Sequence, residues 1–269
     1  MMDILFYKYQ GTGNDFVILD NRDGAYNAIT EEQVKFLCDR KFGIGADGLM
    51  LLETIEGFDF RMKYFNADGK EGSMCGNGGR CLVQFAKDMG IIRSHYHFLA
   101  VDGPHEAEFD SKGLVRLKMQ DVNAIVSDGA DKVLDTGSPH YIRFMDDLDQ
   151  LDVFTEGRKI RYNSQYSEKG INVNFVSREN NGIRVRTYER GVEDETLSCG
   201  TGVTASSIAA SNGMGKQHVY ILVEGGKLEV AFNRLDEQHC NDIWLIGPAT
   251  LVFSGKIKMA FKVQFDKLF

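Results

Sequence analysis

The chain repeats itself at about half its length. The first copy reads Phe60-Arg61-Met62-Lys63-Tyr64-Phe65-Asn66, then a glycine-containing turn, then Ser73-Met74-Cys75-Gly76-Asn77-Gly78. The second reads Ile183-Arg184-Val185-Arg186-Thr187-Tyr188-Glu189, then a turn, then Leu197-Ser198-Cys199-Gly200-Thr201-Gly202. Cys75 and Cys199 lie 124 residues apart and the segments before them 123 apart, so the connecting turns differ by one residue. In each copy apolar or neutral residues alternate with Arg or Lys, the period-two pattern of a strand with one buried face. A helical stretch follows each Cys-Gly-x-Gly. The first, Gly79–Met89, is closed by Gly90; the second, Val203–Ser211, ends near Gly213. Glycine is the common residue just past a helix end. The second helix is small-residued almost all round, which predicts burial on every side. A weaker echo sets Asn14-Asp15-Phe16-Val17 against Val173-Asn174-Phe175-Val176. The period is far above the ~20–50 residues of solenoid repeats. The expectation is two similar domains facing each other, each with a cysteine at a helix start.

Composition narrows the chemistry. The 269 residues are 43% hydrophobic, enough for two ordinary cores, and the net charge is −8. An acidic surface argues against phosphate-backbone binding but leaves room for a small zwitterion. Apolar runs fall far short of the ~20 residues a membrane span needs. The N-terminal Met2-Asp3-Ile4-Leu5-Phe6-Tyr7 lacks the basic and apolar regions of a signal peptide and reads as a first strand. The five cysteines, Cys38, Cys75, Cys81, Cys199 and Cys240, contain no CxxC pair. Reduced thiols in a cytoplasm are the expectation, with no structural zinc.

A cysteine that opens a helix sits where unpaired N–H groups and the helix dipole favour a thiolate. The glycines beside it let backbone amides reach a carboxylate. Two such units face to face would flank one Cα with two sulfurs. A thiolate would remove the proton and a thiol would return one to the opposite face. The helix ends would stabilise the charge that develops on the carboxylate. A cysteine hydrolase using one sulfur and His140 would leave the second motif unexplained. Gly11-Thr12-Gly13-Asn14 and Gly43-Ile44-Gly45 lack the endings of nucleotide-binding loops.

The same residues resemble the diaminopimelate epimerase family. They are Met74-Cys75-Gly76-Asn77-Gly78-Gly79-Arg80, Ser198-Cys199-Gly200-Thr201-Gly202, Gly11-Thr12-Gly13-Asn14-Asp15-Phe16, Phe42-Gly43-Ile44-Gly45-Ala46-Asp47-Gly48 and Ser138-Pro139-His140, and the resemblance runs on to Trp244-Leu245-Ile246-Gly247-Pro248-Ala249. It implies an α+β fold of two pseudo-symmetric domains, each a curved mixed β-sheet or barrel around a central α-helix, with the active site in the interdomain cleft. The expected division is residues 1–117 with a closing strand near 260–269, and 118–259. The implied reaction converts LL- to meso-diaminopimelate, with neither pyridoxal phosphate nor metal, in lysine and peptidoglycan precursor synthesis. Cys75 would donate and Cys199 accept the proton. Asn14, Asn66, Gly76, Asn77, Asn172, Glu189, Arg190, Gly200 and Thr201 would bind substrate, with His140 and Ser138 assisting. The expected partner is the small molecule alone, with no nucleic acid or membrane; a homodimer is compatible with the sequence.

Two positions depart from the commoner pattern. Many relatives read Gly-Asn-Pro-His where this chain has Gly137-Ser138-Pro139-His140, and many carry Gln at Gly48. Both bear on the distal end of the substrate. A proline-type racemase would carry His where Asn77 stands and would not need Glu189-Arg190. An amino-acid-binding protein on the same scaffold would not need two cysteines.

Overall fold

The computed structural model describes residues 2–259. The first half contains β1 (Met2–Gly11), β2 (Asn14–Asp20), α1 (Glu31–Cys38), β3 (Gly48–Glu53), β4 (Phe60–Asn66), α2 (Gly76–Asp88), β5 (His95–Ala100), β6 (Gly103–Phe109) and β7 (Val115–Lys118). The second contains β8 (Ile125–Asp128), β9 (Asp131–Asp135), β10 (Pro139–Phe144), α3 (Val153–Arg161), β11 (Asn172–Glu179), β12 (Gly182–Glu189), β13 (Asp194–Thr196), α4 (Gly200–Ala210), β14 (Gly215–Val223), β15 (Gly226–Arg234) and β16 (Cys240–Gly247); β17 (Thr250–Met259) follows.

Strand pairing makes the repeat explicit. In the first half β2–β3 and β4–β5 are parallel, while β3–β4, β5–β6 and β6–β7 are antiparallel. In the second half β10–β11 and β12–β14 are parallel, while β11–β12, β14–β15 and β15–β16 are antiparallel. Each parallel pair is spanned by a helix, as parallel strands require a crossover. Thus α1 corresponds to α3 and α2 to α4. The halves join where β7 pairs with β16.

The last strand returns to the beginning. β17 pairs with β1 from Met2↔Met259 to Gln10↔Thr250, as β8 pairs with β9 in the other half. Thr250–Met259 therefore pair with the first strand of the first half. The closing strand expected near 260–269 lies outside the described residues. The echo between Asn14 and Asn174 is corrected: β2 corresponds to β10, whereas Asn174 stands on β11, the counterpart of β3.

α2 and α4 are the two central helices. Leu82, Val83, Phe85 and Ala86 of α2 pack against Tyr9, Phe16, Met50 and Phe98. Burying Phe85 completely contributes about 1.5–3 kcal/mol. α4 packs Val203, Ala205, Ile208 and Ala209 within the same continuous core. As expected it is buried all round, and Thr204 and Ser207 satisfy their hydroxyls on the carbonyls of Gly200 and Val203, four residues back. Both helices begin one turn earlier than the apolar pattern suggests, at Gly76 and Gly200. Gly90 takes the left-handed conformation past α2 (φ 88°), whereas α4 ends on extended Ser211 without a glycine cap.

Candidate active site

Each cysteine is the N-cap of its central helix. Cys75 has extended backbone angles (φ −107°, ψ 149°), and its sulfur accepts the Gly78 N–H at 3.2 Å. Cys199 caps α4 in the same way (φ −115°, ψ 111°), but its sulfur instead meets the Thr201 hydroxyl at 3.5 Å. The helix ends almost touch. A Cβ placed on Gly76 would stand 3.5 Å from the Cα of Gly200, and one on Gly200 would stand 3.2 Å from the Cα of Gly76. Two positive helix ends thus converge, an arrangement that an anion between them would stabilise.

The thiols are less acidic than helix position alone suggests. Burial pushes Cys75 up to about 11; the Gly78 amide opposes this, Glu189 adds to it, and Arg80 draws it down. Burial pushes Cys199 up to about 12, again with Glu189 raising it and the Thr201 hydroxyl and Gly202 amide lowering it. The expectation of lowered thiol pKa values is therefore corrected. Desolvation of a thiolate outweighs the amides and dipoles that welcome it.

Behind Cys199 runs an ordered chain. His140 Nε2 lies 2.9 Å from the Thr201 hydroxyl, and Nδ1 lies 3.0 Å from Asn174 Nδ2. Asn174 also donates to the Tyr141 carbonyl (3.2 Å) and accepts from Thr187 (2.9 Å), which fixes its amide. Nδ1 is therefore an acceptor, so Nε2 carries the proton and donates to Thr201. The Thr201 hydroxyl is left to donate toward Cys199. His140 is fully buried and held neutral, pulled down to about 3 by burial and then by Arg190. It orients Thr201 and does not itself face the sulfur.

A second cluster is built by β11, β12 and the Ser138 turn. Asn172 donates to Ser138 Oγ (2.8 Å) and to the Pro139 carbonyl (3.0 Å), and accepts the Arg190 backbone N–H (2.9 Å). Arg190 reaches Ser138 Oγ at 3.3 Å and the Lys169 carbonyl at 3.2 Å. Ser138 thus ties Asn172 to Arg190. Glu189 accepts from Thr196 (2.9 Å), and burial raises its pKa. Asn14 donates to Asp47 (2.6 Å) and receives Asn77 Nδ2 at 3.4 Å. Asn66 is exposed at the end of β4. The glycine at 48 has a steric reason: a Cβ there would fall 2.5 Å from the Tyr64 ring and 2.6 Å from the Phe65 carbonyl.

Several site residues escaped sequence reasoning. Tyr64 has its pKa raised by burial and then by Cys75, Asp47, Cys38 and Glu189. Thr12 forms the β1–β2 turn with Gly13 at positive φ (50° and 85°), unusual for a β-branched residue. Its hydroxyl donates to Ser198 Oγ at 3.0 Å, linking the halves. Asn174 and Arg80 complete the set. Among the described residues the trio with metal-ligand chemistry, His95, His97 and Glu106, lies on the β5–β6 hairpin and includes neither cysteine.

Two like halves, with a cysteine opening each of two facing helices, define the class: the two-domain fold shared with the phenazine-biosynthesis PhzF proteins and the proline racemases. A PhzF-family structure from Bacillus anthracis superposes with a TM-score of 0.73 at 16% identity, covering 96% of this chain and 100% of that one. A hydroxyproline epimerase from Agrobacterium vitis, solved with trans-4-hydroxy-L-proline, gives 0.65 at 12% identity, covering 96% and 91%. Sequence similarity is closer elsewhere. The diaminopimelate epimerase family model matches residues 6–125 and 132–252. The diaminopimelate epimerase of Flavobacterium psychrophilum is 48% identical, covering 93% of this chain and 99% of that protein. That of Chlorobaculum tepidum is 47% identical with the same coverage. This chain belongs to the diaminopimelate epimerase family. No helix among the described residues is long and apolar enough to cross a membrane.

Proposed function

We propose that the chain interconverts LL- and meso-diaminopimelate, with Cys75 and Cys199 as the paired acid and base. The observation that carries this reading is the near-contact of Gly76 and Gly200, which brings two cysteine-capped helix ends to one place. Amides at Gly76, Asn77, Gly200 and Thr201 would hold the reacting α-carboxylate, leaving a sulfur on each face of the neighbouring Cα. In the LL-to-meso direction Cys199 takes the proton and Cys75 supplies one; in reverse the roles exchange.

Charge arithmetic supports thiol acid-base chemistry at this site, and it bears on both sulfurs. The protein's own groups set the thiols at about 11 and about 12. An ammonium about 4 Å from a sulfur contributes about 4 kcal/mol at an effective dielectric of about 20, or about 3 pKa units. The substrate's own α-ammonium therefore brings a thiol toward the working range. Its distal ammonium would meet Glu189 and cancel the carboxylate that raises both thiols. Its distal carboxylate suits the Arg190 guanidinium, with Asn14, Asn66 and Asn172 completing the polar wall and Ser138 positioning Arg190. The five free thiols fit a reducing compartment such as the cytoplasm.

The test is incubation with LL-diaminopimelate and separation of the isomers, with L-proline and trans-4-hydroxy-L-proline as parallel substrates. Approach to an LL/meso mixture, with the imino acids unchanged, is expected. Turnover of an imino acid alone would make the chain a racemase of the other type, and binding without turnover would make it a binding protein.

A further inference from the structure

Arg80 is a buried cation without a carboxylate partner among the described residues. It is the fifth residue of α2, fully excluded from solvent. Its guanidinium donates to the Gly76 carbonyl (3.1 Å), Asn77 Oδ1 (3.0 Å) and Thr12 Oγ1 (3.3 Å), and its Nε has no partner. No ion pair joins it to an acid among the described residues; the anion-forming groups that act on it are the thiols of Cys81 and Cys75. Even with burial pulling it down to about 10 it remains charged at neutral pH. Two glycines clear its space. A Cβ on Gly11 would meet Nη2 at 3.4 Å, and one on Gly247 would meet Nε at 3.2 Å. A buried guanidinium without an anion is costly, so its retention here calls for a role.

The repeat sharpens the point. Counted from the cysteines, the counterpart of Arg80 is Thr204. Both side chains bond the carbonyl of the first helical residue: Arg80 to Gly76, Thr204 to Gly200 at 2.9 Å. The structural job is shared, but only α2 carries the charge. Arg80 also bridges to Thr12, whose strained left-handed backbone (φ 50°) is held by its contacts to Ser198 and Arg80.

We infer that Arg80 is a positioning residue of the epimerase: it places a fixed positive charge behind one of the two facing helix ends and not the other, making Cys75 and Cys199 electrostatically unequal, and it ties together Asn77 and Thr12, both of which reach Ser198 of the other half. This rests on the two-thiol reading above. The titratable or charged groups coupled to Cys75 include Glu189 of β12, Tyr64 of β4, Cys199 at the head of α4, and Cys81 and Arg80 of α2 itself.

The test reads each sulfur separately and needs no turnover. Iodoacetamide labelling of the full chain, resolved by peptide mass spectrometry from pH 6.5 to 10, gives a rate profile for Cys75 and another for Cys199. In Arg80→Met, with folding checked by circular dichroism, Cys75 is expected to react about tenfold more slowly at each pH below its plateau, one pKa unit, with Cys199 within about twofold. Arg80→Lys keeps the charge and should hold the Cys75 profile within about threefold while lowering kcat, because the fork to Asn77 and Thr12 is lost. Equal slowing of both sulfurs, or no change in either, would overturn the inference, and so would loss of Cys75 reactivity in Arg80→Lys should the Met variant fail to fold. Wild-type protein inactive on diaminopimelate would instead overturn the proposed function, leaving the labelling contrast to be read by itself.

Discussion

Gly76 and Gly200 stand against each other so closely that a methyl group on either would lie within 3.5 Å of the other's Cα. Both positions also face Leu245, whose Cδ2 would be 2.7 Å from a Cβ on Gly76 and 3.0 Å from one on Gly200. The leucine tip can move; the opposing backbone cannot. Gly200→Ala should therefore part the two helix ends. We expect kcat to fall at least about tenfold, with a stability loss of about 1–3 kcal/mol as for other overpacked sites. Steady-state kinetics and urea unfolding check both, and unchanged kcat would show that the spacing of the helix ends is not used.

Glu189 raises the pKa of both thiols. Removing its charge in Glu189→Gln should therefore lower both pKa values. At pH 8 labelling of Cys75 and Cys199 is expected to speed up about three- to tenfold, while turnover of diaminopimelate falls by on the order of a hundredfold because the distal ammonium loses its partner. A variant that lost activity without faster labelling would separate Glu189 from the thiols.

His140 gives a pH dependence of stability with a definite sign. Its folded pKa is depressed to about 3 from an ordinary 6.5. Between those values the unfolded chain binds a proton that the folded chain does not, so stability is full above pH 6.5 and falls as the pH drops toward 3. Relative to wild type, His140→Gln should lose about 2 kcal/mol less on going from pH 7 to pH 5. Denaturant midpoints at the two pH values measure this, and identical losses would mean that His140 titrates normally.

Ser138 bridges Asn172 and Arg190. Ser138→Ala should raise KM for diaminopimelate about three- to tenfold with kcat nearly constant, the pattern of lost uniform binding. A kcat effect larger than the KM effect would move Ser138 into the proton-transfer step.

Much of this was legible in the sequence because it is local. The alternating β4 and β12, the cysteine at each helix start and the all-round burial of α4 each depend on neighbours within one element. The site residues that were missed depend on distant ones. Thr12 meets Ser198, 186 residues away, and Arg80 reaches back 68 residues to Thr12. Arg80 did carry a signal, a charge on a helix whose next residues, Cys81, Leu82 and Val83, are apolar and buried. The thiol pKa direction was misread because motif spacing reports helix position and not depth. The assignment of β17 turns on long-range pairing, which a strand's own residues do not encode.

The two-thiol mechanism is tested most directly by turnover of LL-diaminopimelate in deuterated water, stopped early, with deuterium located by mass spectrometry and NMR. If separate sulfurs serve the two faces, the meso product carries one deuterium at the inverted Cα, the remaining LL substrate stays unlabelled, and Cys75→Ala and Cys199→Ala each abolish product. Label entering the LL substrate as fast as the product, or epimerisation at the normal rate in either cysteine variant, would contradict the account.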